Sequence, residues 1–158
     1  MSKQPLPKHF TASALVIADG HVLLVHHRRI GAWLPPGGHI DECELPHEAA
    51  IREVLEETGV AVEIVSEPMP QTGDSEAFFL NSPLCLHSVM AVEKGQAVDH
   101  LDLCYLCRPV YKSPLPEVVA SPEVHDAKWV SLDDLEKLPL AKNVKEAVAL
   151  GLARFGRR

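Results

Sequence analysis

The sequence predicts an α/β fold in one domain over residues 1–158. Three features predict it: a pair of apolar runs joined by a tight-turn dipeptide, a strongly marked amphipathic helix, and further β-rich runs downstream of that helix. Residues 11–18 (TASALVIA) and 21–27 (HVLLVHH) flank Asp19-Gly20, a dipeptide that accepts the positive φ angles of a hairpin turn. The spacing predicts two antiparallel strands. Residues 35–38 (PPGG) should then interrupt regular structure as a loop, because prolines lack backbone donors and glycines leave the chain permissive. Residues 46–58 (PHEAAIREVLEET) open with a proline suited to a first helical turn and stop at Gly59, a natural left-handed cap. Ala50 with Val54, and Ile51 with Leu55, recur at i and i+4, which predicts an apolar face for packing on a sheet, with the glutamates elsewhere.

Residues 61–65, 85–92 and 101–111 read as strands, and 67–83 as a long connection, either substrate-facing or a mobile excursion. Residues 128–130 read as a short strand. Ser131 and Asp134 match a capping box that starts a short helix. A final amphipathic helix should run from about Asn143 to Phe155 and end near Gly156. Repeats, low-complexity tracts and linkers are absent from the sequence, so nothing divides it.

Composition narrows the function classes. The chain is long enough to bury an apolar core without disulfides, and 46% hydrophobic with 23% charged residues is globular. The formal charge of −7, with no extended basic run, argues against nucleic acid as a partner, since such affinity depends on Lys and Arg neutralising phosphates. A phosphate-bearing small ligand is compatible if a metal supplies the positive charge. The first residues lack an apolar signal core and no stretch matches a spanning helix, so a cytoplasmic protein without a membrane partner is expected. Cys43, Cys85, Cys104 and Cys107 should be free thiols there. Cys104 and Cys107, three apart on a strand, point to opposite faces and make a poor zinc pair.

At 100° per residue, Glu53, Glu56 and Glu57 fall within a sector of roughly 100° on the helix. Three like charges so close are unfavourable unless a cation sits among them. Oxygen-only donors suit Mg²⁺ or Mn²⁺, which also bind substrate phosphates. The alternative is a solvated acidic face.

From Gly38 the spacing runs five residues to Glu44, seven more, then Arg52-Glu53-Val54-Leu55-Glu56-Glu57-Thr58-Gly59-Val60. This resembles the Nudix box at every specified position, across 38–60. The resemblance implies an α/β/α sandwich with a mixed central sheet. It also implies Mg²⁺-dependent cleavage of a diphosphate in a nucleotide-like small molecule: a nucleoside diphosphate linked to another group, or a nucleoside triphosphate. By the same resemblance Glu53, Glu56, Glu57 and the carbonyl of Gly37 ligate metal, Arg52 orients the glutamates, and Glu44 supports the loop and helix. Arg52 reaches either Glu56 or Glu48 by helical spacing. Gly37 and Gly38 let the backbone approach the metals. Glu123, six residues before Trp129, resembles the downstream metal-binding glutamate of MutT-type members, the alternative being an exposed loop acid. The general base is Glu57, Glu56 or Glu123.

Other polar residues have two readings each. His100 and Asp102, opening a strand on one face, line the cleft or an edge. His27 and Arg28, in a cluster with His26 and Arg29, contact phosphate or base, or simply end a strand. Asn143 with Glu146 is a helix-capping pattern, whereas in MutT-type relatives an asparagine near this point reads the base. The proline or tyrosine that marks ADP-ribose or dinucleoside polyphosphate specificity after the box is missing from 75–78. Two other classes share this scaffold. A non-catalytic binding module would show a degraded box, which the intact glutamates argue against. An isoprenoid diphosphate isomerase would need a cysteine and a glutamate outside it.

Overall fold

A computed structural model describes residues 4–111 and 113–155. The elements are β1 (Lys8–Ala18), β2 (His21–His26), β3 (Trp33–Leu34), β4 (Gly37–His39), α1 (Pro46–Thr58), β5 (Val62–Ile64), β6 (Cys85–Glu93), β7 (Gln96–Pro109), β8 (Asp126–Ser131), a 3₁₀ turn (Leu132–Lys137) and α2 (Val144–Phe155). The strand order is β3-β2-β1-β7-β5, with β4 alongside β1, β6 alongside β7 and β8 alongside β2. Only β1 and β7 pair in parallel among these partners. The sheet is therefore mixed, as the resemblance implies.

Alternation along β1 sets the layers. Ala12, Ala14 and Val16 join Tyr105 and Cys107 in a cluster with Ala49, Ala50 and Val54 of α1. Leu15 and Ile17 join Cys104 and Leu106 in the opposite cluster, with Val144 and Val148 of α2. Cys104 and Cys107 thus lie on opposite faces, as their spacing predicts. Gly151 lets α2 come close, since a Cβ there would stand 2.6 Å from Leu15 Cδ2. Among the described residues no helix is long and apolar enough to cross a membrane.

The hairpin at Asp19 (φ 48°) and Gly20 (φ 70°) and the helix 46–58 form as predicted, with Gly59 (φ 72°) closing the helix through its N–H to Leu55 O. Three expectations are corrected. Residues 37–38 are not a loop: Gly37 and Gly38 pair with Ser13 and Ala12 as β4, because a bare Cα can lie where a Cβ at Gly37 would stand 2.7 Å from Ala12 O. The apolar face of α1 is narrower than its sequence suggests, since Leu55 is exposed while Glu57 and Thr58 are buried. The strand expected at 101 begins at Gln96, so His100 and Asp102 lie within it rather than opening it. Lys94 (φ 48°) and Gly95 (φ 80°) make the tight turn that extends β6 and β7 as a hairpin. The expected end of the last helix, near Gly156, lies outside the described residues.

Candidate active site

The loop before α1 is organised by two glutamates. Glu48 accepts the N–H of Leu45 at 2.9 Å, satisfying one free donor at the helix start. Glu44 accepts the N–H of Asp41 at 3.0 Å and takes the fork of Arg52 through Nε (2.7 Å) and Nη2 (3.0 Å). That pairing holds the Glu44 carboxyl below its usual range. Arg52 also donates through Nη1 to Glu53 (2.9 Å) and Glu56 (3.1 Å), and through Nη2 to the carbonyl of His39 (3.1 Å). Of the two partners its spacing allows, it takes Glu56, and Glu48 serves the cap. A planar guanidinium with five donors suits this many acceptors.

Glu57 is 5% exposed and accepts the N–H of Gly37 at 2.9 Å. Burial pushes its carboxyl up to about 7, against the pull of that N–H. Burial also raises Glu53, whose bond from Arg52 works the other way. A Cβ on Gly38 would stand 2.7 Å from the Glu53 carboxyl carbon. The paired glycines therefore leave a channel of backbone against two carboxylates.

Glu123 comes from the connection before β8, and this connection is strapped to the end of α1. Val119 N–H reaches Thr58 O at 2.9 Å and Ser121 N–H reaches Glu57 O at 3.0 Å. Arg28 Nε donates to Pro122 O at 3.0 Å, and Trp129 Nε1 to Pro116 O at 2.9 Å. These bonds bring the exposed Glu123 carboxylate near enough to raise both Glu53 and Glu57 by repulsion. Four carboxylates thus lie within electrostatic reach of one another: Glu53, Glu56, Glu57 and Glu123. Arg28 is spent on the strap that holds the fourth.

On the other face of β1 lies a polar network. Asp102 is buried and accepts from Thr11 (2.8 Å), Ser13 (2.6 Å) and His87 Nε2 (3.0 Å). Burial works to raise its carboxyl, but these bonds prevail and hold it low. His87 is raised by its bond to Asp102. Its Nδ1 lies 3.1 Å from the side-chain amide of Asn143. Asn143 therefore departs from the expected cap: its φ of 68° is not the extended geometry of a capping residue, and its amide is directed to His87. His27 Nδ1 accepts the N–H groups of Arg29 (3.2 Å) and Ile30 (3.3 Å), closing its own turn. Its pKa is lowered by burial, then by the charges of Arg29 and His100.

Sequence reasoning missed His87, which joins Asp102 to Asn143. It also missed His9, His39 and Glu93, which surround His100. Alternation along β1 and β7 would have grouped His9, Thr11 and Ser13, and His100 and Asp102, but only cross-strand register places them side by side.

A family model for the NUDIX domain matches residues 7–150. A MutT-like protein of Streptomyces ambofaciens is 38% identical over 38% of this chain and 39% of its own length. An RNA pyrophosphohydrolase of Cereibacter sphaeroides (strain ATCC 17029 / ATH 2.4.9) is 56% identical over 23% of this chain and 22% of its own. The chain thus spans well under two thirds of these curated relatives. The crystal structure of a NUDIX family hydrolase from Clostridium perfringens matches with TM-score 0.70 and 28% identity, covering 97% of this chain and 100% of that one.

Proposed function

The chain belongs to the Nudix family, and on that footing we propose that it hydrolyses the diphosphate of a nucleoside diphosphate linked to another group, or of a nucleoside triphosphate, in the cytoplasm and with Mg²⁺ or Mn²⁺. The observation that carries this reading is the convergence of Glu53, Glu56, Glu57 and Glu123 beside a glycine-lined strand. These residues fit a divalent ion. A carboxyl buried as deeply as Glu57 is unfavourable as an anion without a cation, and the donors are hard oxygens. Glu53, Glu56, Glu57, Glu123 and the carbonyl of Gly37 would hold it. When bound, the ion supplies charge neutralisation at the phosphate oxygens and acidifies water.

The chain's own groups divide the remaining work. Arg52, fixed by Glu44, holds Glu53 and Glu56 in place and touches no substrate. Glu57 receives the proton of the attacking water from its place against the glycine-lined strand, where the Gly37 N–H fixes its Oε1. Glu56 and Glu123 are the alternative bases. Gly38 leaves room for phosphate against the backbone. His27, just beyond β2, and His100, within β7, face the substrate, and Asn143, held by His87 and through it by Asp102, offers hydrogen bonds to the nucleoside end. Arg28 acts indirectly, through the Glu123 connection.

The test is a panel of nucleoside triphosphates, nucleoside diphosphate conjugates and a 5′-triphosphorylated RNA, assayed with Mg²⁺ for products cut at a diphosphate. Release of such products, lost in Glu56→Gln, is expected. Product formed without P–O cleavage, or no turnover on any member, overturns the reading.

A further inference from the structure

A second cluster of metal-ligating side chains lies apart from the four carboxylates. His9 on β1, His39 on β4, His100 on β7 and Glu93 at the end of β6 present one donor atom each, all within 4.8 Å of one another. His9 Nδ1 is 2.8 Å from Glu93 Oε2, while His39 Nε2 (2.7 Å) and His100 Nε2 (2.6 Å) share Glu93 Oε1. The three ring centroids are 5.3 to 6.4 Å apart.

The fold builds this arrangement. His9 and His100 are direct partners in the parallel β1–β7 pair, and His39 pairs with Thr11, two residues along β1. At period two, all three side chains emerge on one face. That is the face opposite Gly38, which pairs with Ala12 and borders Glu53. Glu93 reaches the group because the Lys94-Gly95 turn folds β6 back on β7.

We propose that His9, His39, His100 and Glu93 form a binding site for a first-row transition ion of the Zn²⁺ type, distinct from the hard-ion site of α1. Three imidazoles and one carboxylate match the donors such ions take, in a set of four, whereas Mg²⁺ favours oxygen donors in octahedral geometry. Tetrahedral Zn²⁺ places its donors about 3.4 Å apart, so small side-chain rotations from the present 4.8 Å spread complete the shell. The three rings converge on one carboxylate, and because none of them is fully buried an ion can reach the group from solvent. Metal here pins the β6–β7 hairpin to β1 and β4. The inference does not rest on diphosphate hydrolysis.

The test uses tag-free full-length protein stripped with EDTA and titrated with Zn²⁺ alone, then in a large excess of Mg²⁺, against a chromophoric chelator. One equivalent of Zn²⁺ that Mg²⁺ does not displace is expected, with X-ray absorption showing imidazole nitrogens in the shell. Loss of one donor in His9→Ala or Glu93→Gln should weaken it by roughly 100-fold, with the circular dichroism spectrum unchanged. Glu56→Gln should leave it intact. Zinc displaced by Mg²⁺, weakened only by Glu56→Gln, or bound equally well by both cluster variants overturns the assignment.

Discussion

The N–H of Gly37 meets Glu57 Oε1 at 2.9 Å, so a backbone donor of the strand that borders the site is tied directly to a carboxylate of the helix. Each side of that bond is constrained. Gly37 has no room for a side chain against Ala12 and Ser13, and Glu57 has almost no contact with solvent.

Gly37→Ala and Gly38→Ala should therefore behave differently. At Gly37 the added carbon meets strand backbone, and a loss of about 1 to 3 kcal/mol is expected from overpacking. At Gly38 it meets a carboxylate at the end of a side chain. The protein should melt near its normal temperature while turnover falls. Thermal denaturation paired with a rate measurement separates the two, and equal melting temperatures would contradict the account of β4.

Glu57→Gln and Glu56→Gln should each lower turnover by roughly 100-fold or more while the fold persists, as loss of a ligand or base implies. Circular dichroism and steady-state kinetics measure both. Near-normal rates in both variants would remove the carboxylate assignment. Glu123→Gln distinguishes the candidate bases: a retained rate leaves proton transfer to the helix.

Stability of the metal-free protein should fall as pH rises. The unfolded Glu57 carboxyl loses its proton at about 4.3, whereas in the fold it keeps the proton up to about 7. Its contribution is complete below the lower value and disappears as pH climbs through the upper one. Calorimetry in EDTA should show this decline, Glu57→Gln should reduce it, and Mg²⁺ should raise the melting temperature more in alkaline than in acid buffer. A profile identical in wild type and variant would contradict the burial argument.

Arg52→Lys should fail to rescue. An ammonium keeps the charge but cannot take both oxygens of Glu44 while reaching Glu53, Glu56 and the His39 carbonyl. Turnover should drop with little change in apparent substrate affinity, because the arginine positions ligands rather than substrate. A rate equal to wild type would show that charge alone suffices.

The helix 46–58 was legible because its signals are local: Pro46, the glutamate spacing and Gly59 lie within fifteen residues of one another. Asp19-Gly20 was legible for the same reason. β4 was not, because the same glycines that suggest a loop also permit close approach to β1, and only the partner strand decides between them. Leu55 and Glu57 reversed expectation for a related reason. Helical periodicity gives relative angles, while the neighbouring β4 and the strap at Val119 and Ser121 decide which side is covered. His87, His39 and Glu93 depend on register between strands far apart in sequence, which no local pattern reports.

The alternation of β1 has a further consequence for how relatives of this chain diverge. Ala12 serves one layer and Thr11 and Ser13 the other, so inserting or deleting one residue would send every side chain beyond it to the wrong layer. The carboxylate site and the Asp102 network would both be lost in one event. Length changes are instead accommodated in the connection 67–83, which lies outside the strands, leaving new ligand preferences to be acquired at the rim.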